Sequence, residues 1–239
     1  MQFDTPKVQA ILLVGSFSRG EAGPYSDIDL LRLGNVALPG AGSHLWQNRL
    51  VNVSDADTKT VEAWFTNPEK AVEVVSGLQQ ARILLEKDGA AKALLERAQA
   101  FVWTFELQHE ADVWASAQLV GWAEEAHKGL AGLDSGNTGQ LLHAQFGLSW
   151  GLAKTVRVQR GLLSGGDNAF LAELQKEFAG TRWLKFLHGA YGLTGFAPAD
   201  QVRAGLELYC LTADLLSGAL QPHDRPIVEH TVLLIRQNE

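Results

Sequence analysis

The sequence predicts an α+β chain in two parts: a small mixed-sheet domain over residues 1–102 and an all-α helical bundle domain over residues 103–239. Three observations carry this. Short apolar runs bounded by glycine or polar turns recur up to about residue 85, which is how buried strands read. From about Thr104 the pattern lengthens into helical stretches. Gly/Asn/Asp/Pro clusters punctuate those stretches at 132–137, 165–168 and 196–198, as in a helical bundle.

The elements follow in order. Residues 11–14 (Ile-Leu-Leu-Val) are an apolar run that stops at Gly15, a buried strand. Gly15-Ser16 turns into a short helix, Gly23-Pro24 makes a second break, and residues 27–31 begin the next strand. Residues 34–43 read as a loop joining antiparallel strands. Residues 50–53 give the third strand, with Leu50 and Asn52 on one face. Helices are expected over 58–65 and 68–75, a further strand over 81–85, and an amphipathic helix over 90–101. The helical half reads as helices over 104–130, 139–162, 169–178, 183–191 and 199–220. The tail, 222–239, fits either a strand or a last helix.

Asp27 and Asp29 are the chemical centre of the first half. On a strand, residues i and i+2 face one side, roughly 7 Å apart along the backbone. Two carboxylates therefore point one way while Ile28 and Leu30 point into a core. Like charges so placed call for a cation between them, and Mg²⁺ is typically held by one or two carboxylates plus substrate phosphates. Gly15 and Ser16 offer backbone N–H groups and a hydroxyl at a strand-to-helix turn, a suitable cradle for phosphate. Arg19 adds a cation with a fork matched to phosphate oxygens. The glycine spacing of Gly15 and Gly20 is that of a P-loop. Glu21 and Ala22, however, stand where Lys and Ser/Thr are required, which excludes one.

The run of apolar strand, Gly-Ser, Arg19, Pro-Tyr-Ser-Asp and then D-x-D resembles the DNA polymerase beta-like nucleotidyltransferase superfamily. The nearest likeness is to the kanamycin (aminoglycoside) nucleotidyltransferase group, in which the run G-P-Y-S-D-I, here residues 23–28, recurs between glycine turn and acidic pair. The resemblance implies an Mg²⁺-dependent adenylyltransferase that moves AMP from ATP onto a hydroxyl of a small, aminoglycoside-like molecule. Asp27 and Asp29 would hold the metal, and Gly15, Ser16, Arg19 and Ser26 would lie around the nucleotide, in a cleft between the two domains. These enzymes carry a Glu, then a Lys four residues on, in the first long helix. Carried over, Glu124 is the base that takes the acceptor's proton and Lys128 contacts phosphate, with Glu125 one residue away. Glu124 and Lys128 also read simply as an i, i+4 surface ion pair. Two subunits complete each site in the resembled enzymes, so the likeness carries the expectation of a homodimer.

One position departs from the family. Its third carboxylate, on the third strand, matches Asn52, which can coordinate through its carbonyl but carries no charge and cannot act as a base. Asp55 and Asp57 are the alternatives, and Asp57 reads better as the cap of the helix that follows. The departure keeps a second reading open, a catalytically degenerate nucleotide-binding regulator. A third is transfer of AMP onto a protein, although enzymes of that kind are usually short and lack a large helical half.

Composition narrows the partners. The formal net charge is −7 and no Lys/Arg-rich run exists, which speaks against nucleic acid as a partner and for a nucleoside triphosphate with a small hydroxyl acceptor. No apolar run approaches the roughly 18 residues of a membrane span, and the N-terminal residues lack a basic and apolar signal. The single cysteine, Cys210, fits a reducing cytoplasm and reads as a small core residue. The seven histidines form no zinc motif. Residues 147–151 match G-x-S-x-G, but inside a helical pattern rather than after a strand, so they read as small packing residues. The tryptophans, Arg157 and Arg160 read as core, interface or solvated-face residues.

Overall fold

The computed structural model describes residues 3–34 and 38–238. The chain divides into two compact units, one of Met1–Thr104 with Leu163–Phe170 and one of Phe105–Leu162 with Leu171–Glu239. The short stretch 163–170 therefore groups with the first unit, a return that a single boundary at 102/103 does not provide for.

The first unit is built on five strands: β1 (Ala10–Val14), β2 (Ile28–Leu33), β3 (Gly42–Trp46), β4 (Arg49–Ala56) and β5 (Arg82–Glu86), in the order β3-β4-β2-β1-β5. β2 and β4 run parallel; the other neighbours are antiparallel, so the sheet is mixed. Helices α1 (Gly15–Arg19), α2 (Thr58–Thr66), α3 (Pro68–Gln79) and α4 (Ala90–Gln99) complete it. Strand alternation separates two cores. Leu12, Leu31, Leu33 and Ala56 pack with Trp64, Leu78 and Leu94 of the helices. Ile11, Leu30, Val51 and Val53 pack on the other face with Val8 and Leu38.

Two expectations are corrected here. The loop over 34–43, of which residues 35–37 lie outside the described residues, does not join antiparallel neighbours: β2 pairs with β4 in parallel, and β3 intervenes. The third strand is the second arm of a β3–β4 hairpin. Its two-residue turn, Gln47-Asn48, has φ of 49° and 60°, the left-handed pair that matches strand twist. β3 left no trace in the hydrophobic pattern because it is an edge strand whose residues are mostly exposed.

Asp57 begins α2 as its cap: its side chain accepts the Thr60 N–H at 2.8 Å. That hydrogen bond, with help from the Thr60 hydroxyl, holds the Asp57 carboxyl below its ordinary range. A carboxylate lowered in the fold stabilises it above the unfolded-state value, and the contribution is lost as pH falls through the folded value. Asp57→Ala is therefore expected to lower the melting midpoint at neutral pH by a few degrees at most, and to have no effect once the pH is below both values. Thermal melts at neutral and acid pH check this.

The second unit contains α5 (Phe105–Ser135), α6 (Thr138–Phe146), α7 (Leu152–Gln159), α9 (Arg182–Ala190), α10 (Pro198–Leu215) and α11 (Arg225–Gln237); α8 (Asp167–Glu177) begins in the return stretch. The tail is thus helical. Asn137 and Thr181 cap α6 and α9 by accepting the N–H groups of Gln140 and Leu184. Buried polar groups tie the helices together: Tyr209 donates to the Leu119 carbonyl at 3.1 Å, and Trp183 Nε1 donates to Thr212 at 2.9 Å. Cys210 is buried. Among the described residues no helix is long and apolar enough to cross a membrane.

The helix expected over 139–162 is interrupted. Residues Gly147–Gly151 form a π-helical turn between α6 and α7. Two residues of α5 explain it. A Cβ on Gly147 would lie 2.6 Å from Cγ of Glu125, and one on Gly151 would run into the Trp122 indole. Trp122 Nε1 also donates to Thr155, whose hydroxyl donates to the Gly151 carbonyl. The G-x-S-x-G run is helical on both sides and makes no hydrolase elbow.

Candidate functional site

The site is assembled at the start of β2. Register places Asp29 beside Val14 of β1 on one side and beside Asn52 of β4 on the other. Asn52 Nδ2 donates to Asp27 Oδ2 at 2.6 Å and approaches Asp29 Oδ1 at 3.5 Å. The two carboxylates thus converge on one point, now held by an amide N–H₂. The amide's oxygen accepts the Ser43 hydroxyl at 2.8 Å. Burial, then the charge of Asp27, push the Asp29 carboxyl above its ordinary value of 3.8; the Asn52 hydrogen bond and the charge of Arg19 work against that rise. Half-buried like charges at this spacing favour whatever cation or donor shares them.

Gly15 is fixed by the same carboxylate. Its φ is 69°, a backbone region that side chains rarely adopt, and a Cβ there would collide with Asp29 Oδ2. The Ser18 hydroxyl caps the Gly15 carbonyl at 2.8 Å. Gly15→Ala is expected to cost on the order of 1–2 kcal/mol for the left-handed backbone alone and to displace Asp29 as well. Chemical denaturation with a parallel binding titration would show both losses; unchanged stability would contradict the packing described.

Ser16 is half-buried on the first turn of α1, and its carbonyl accepts the Glu21 N–H at 3.0 Å. Arg19 pairs with Glu21 at 2.6 Å and lies beside Gly166 of the return stretch. A cavity of about 270 Å³ has Gly15, Arg19, Asp29, Trp64 and Ser164–Gly166 in its wall. Ser26 acts locally, its hydroxyl accepting the Gly23 N–H at 2.9 Å to close the turn before Asp27. Arg49, which sequence reasoning passed over, braces that turn. It donates to the Pro24 and Ser26 carbonyls and lies 5.5 Å from the Phe17 ring centre.

The two alternative third carboxylates are engaged elsewhere. Asp57 caps α2, and Asp55 receives a fully buried arginine, Arg32, at 2.8 and 3.0 Å. Asn52 alone completes the acidic pair. Among the described residues no group of three or more His, Cys, Asp or Glu side chains could hold a metal by itself.

Glu124 and Lys128 lie in the other unit. Glu124 is exposed and pairs with Lys128 at 2.8 Å, and that hydrogen bond and charge hold its carboxyl below the ordinary range. Its neighbour Glu125 is buried. One of its oxygens takes Lys128 at 2.9 Å, the other His143 at 3.0 Å, and its stem rests on Gly147. Glu125 and Trp122, three residues apart on α5, meet Gly147 and Gly151, four apart on the π turn. Among the tryptophans, Trp64 and Trp183 are core, while Trp150 is half-exposed and meets Tyr191 edge-on at 5.0 Å.

Residues 1–87 match the nucleotidyltransferase domain family. That match covers a little over a third of the chain. The fold as a whole is similar to the crystal structure of a nucleotidyltransferase-like protein from Exiguobacterium sibiricum 255-15, with a TM-score of 0.52 and 16% identity, over 89% of this chain and 72% of that one. At that identity the likeness speaks for fold alone. No curated protein matches the sequence. Asp27, Asp29, Gly15 and Asn52 all fall within the part that matches the nucleotidyltransferase domain.

Proposed function

We propose that this protein transfers AMP from ATP to a hydroxyl of a small molecule, with Mg²⁺ as the metal. The observation that carries the reading is the convergence of the Asp27 and Asp29 carboxylates on one point beside Gly15. Two carboxylates and an amide suit an ion that draws the rest of its shell from phosphate and water, as Mg²⁺ does. Asn52 fits such an ion once its amide turns to present the carbonyl, because the Ser43 hydroxyl can accept from the N–H₂ as readily as it now donates to the oxygen.

Magnesium, when bound, would neutralise charge on the phosphates. The chain's own residues do the rest. Asp27 and Asp29 hold the cation; Ser16 and Arg19 orient phosphate oxygens. The acceptor oxygen attacks the α-phosphorus, the bond from that phosphorus to the pyrophosphate oxygen breaks, and the acceptor proton passes to a carboxylate. The likeness to the kanamycin nucleotidyltransferase group assigns that proton to Glu124, with Glu125 one residue away. The likeness to the kanamycin nucleotidyltransferase group supports an aminoglycoside-like acceptor and a homodimer.

Calorimetry with ATP and Mg²⁺, then a pyrophosphate-release screen over hydroxyl acceptors, tests the reading. No nucleotide binding would overturn it. Binding without release against every acceptor would favour the rival, a regulator that binds nucleotide without turnover, for which Asn52 is the motivating observation. Asn52→Asp separates them further. A third charge is expected to tighten Mg²⁺ binding about tenfold, since affinity follows ligand charge count, and to destabilise the metal-free protein by repulsion. Titration in the two states checks both signs.

A further inference from the structure

We propose that the helical unit carries its own binding site for an organic anion with an apolar body, headed by a carboxylate or a phosphate. The site is a cavity of about 850 Å³ walled by residues of α5, α9, α10 and α11, within the size range of small-molecule pockets. At its wall a buried carboxylate joins two solvent-reaching arginines. Glu207 sits in the middle of α10, 7% exposed, between Leu206 and Leu208. One of its oxygens takes Arg182 of α9 at 2.7 Å and the other takes Arg236 of α11 at 2.5 Å.

Burying a carboxylate between two arginines is a poor way to gain stability, because desolvation cancels most of the attraction and apolar residues would serve as well. What the triad does achieve is placement. One carboxylate fixes two guanidinium groups at the cavity wall and leaves the triad with a net positive charge. Arg203, one helical turn before Glu207, adds a third guanidinium on the same face and is itself only lightly held, by Asp200 at 3.0 Å. Arg182 and Arg203 are largely exposed toward solvent. Asp134 and Asp200 also line the cavity, so its formal charges balance; what the wall offers a ligand is donors, because Arg182 and Arg203 are each bonded through a single nitrogen, to Glu207 and to Asp200. Guanidinium forks in this density match carboxylate and phosphate oxygens. Leu130, Leu133, Phe186 and Ile235 supply the apolar wall, which selects for a ligand with an aromatic or aliphatic body over a bare inorganic ion.

The test is calorimetric titration of the full chain with phenyl phosphate in the presence of a chelator. Saturable one-site binding is expected. Arg203→Gln should weaken it about tenfold, the size of one charge-assisted hydrogen bond. Arg203 is at the surface, so this variant does not threaten the fold; Arg182→Gln should act in the same direction. Lys92→Gln, on the surface of the other unit, should leave binding unchanged. Absence of saturable binding up to about 10 mM probe would overturn the proposal. So would binding that survives both cavity variants or that is lost with Lys92→Gln.

Discussion

Asp29→Asn is expected to cut nucleotidyl transfer by about a thousandfold or more while leaving the fold intact. The size follows from the role proposed. A carboxylate that positions a divalent ion at the phosphates contributes several kcal/mol to the transition state, and each 1.36 kcal/mol is about tenfold in rate. The intact fold follows from the geometry. Asp29 is half-buried beside a like charge, and burial and Asp27 both work against its ionised form. An uncharged isostere removes that repulsion and still fits over Gly15. The metal-free variant should therefore melt no lower than the parent, and by the same argument slightly higher. Pyrophosphate release and a thermal melt without divalent ion measure the two effects. Full turnover in the variant would end the metal assignment, and a large drop in melting temperature would show that Asp29 is a structural group.

The acidic pair was legible because its signal is local. Strand alternation puts residues 27 and 29 on one side, and a Gly-Ser turn after an apolar run marks where the backbone approaches them. Asn52 was legible only through resemblance, since nothing in its own neighbourhood says that it stands beside Asp29. Features that depend on a distant partner did not show. The π turn exists because Trp122 and Glu125, on another helix, settle onto Gly147 and Gly151. The stretch Leu163–Phe170 reads as a break between helices, and its membership of the first unit rests on contacts such as that between the Ser164 N–H and the Val72 carbonyl. β3 was missed because an exposed edge strand has no buried face to give it a period.

Arg32 is the clearest case of a residue the pattern hides, and it carries the second large effect. In the run Leu-Leu-Arg-Leu it looks like a charge near a strand end. In the fold it is 1% exposed. Its guanidinium spans both oxygens of Asp55 and donates to the Pro39 carbonyl at 3.0 Å. Arg32→Met would leave the half-buried Asp55 without its counter-charge and the Pro39 carbonyl without its donor, at a cost of about 2–3 kcal/mol, at or below the lower end of what breaking a fully buried pair costs. That is a sizeable share of the roughly 5–15 kcal/mol by which a domain is stable. The pairing that sets Arg32 opposite Asp55 is the same parallel register that sets Asp29 opposite Asn52, so weakening it loosens the acidic site too. Urea unfolding of Arg32→Met should show the loss. The double variant Arg32→Met/Asp55→Leu should recover most of it, because an apolar pair needs no counter-charge. Recovery of stability without recovery of Mg²⁺ binding would assign the pair to register rather than to bulk stability. An unchanged unfolding midpoint in Arg32→Met would refute both roles.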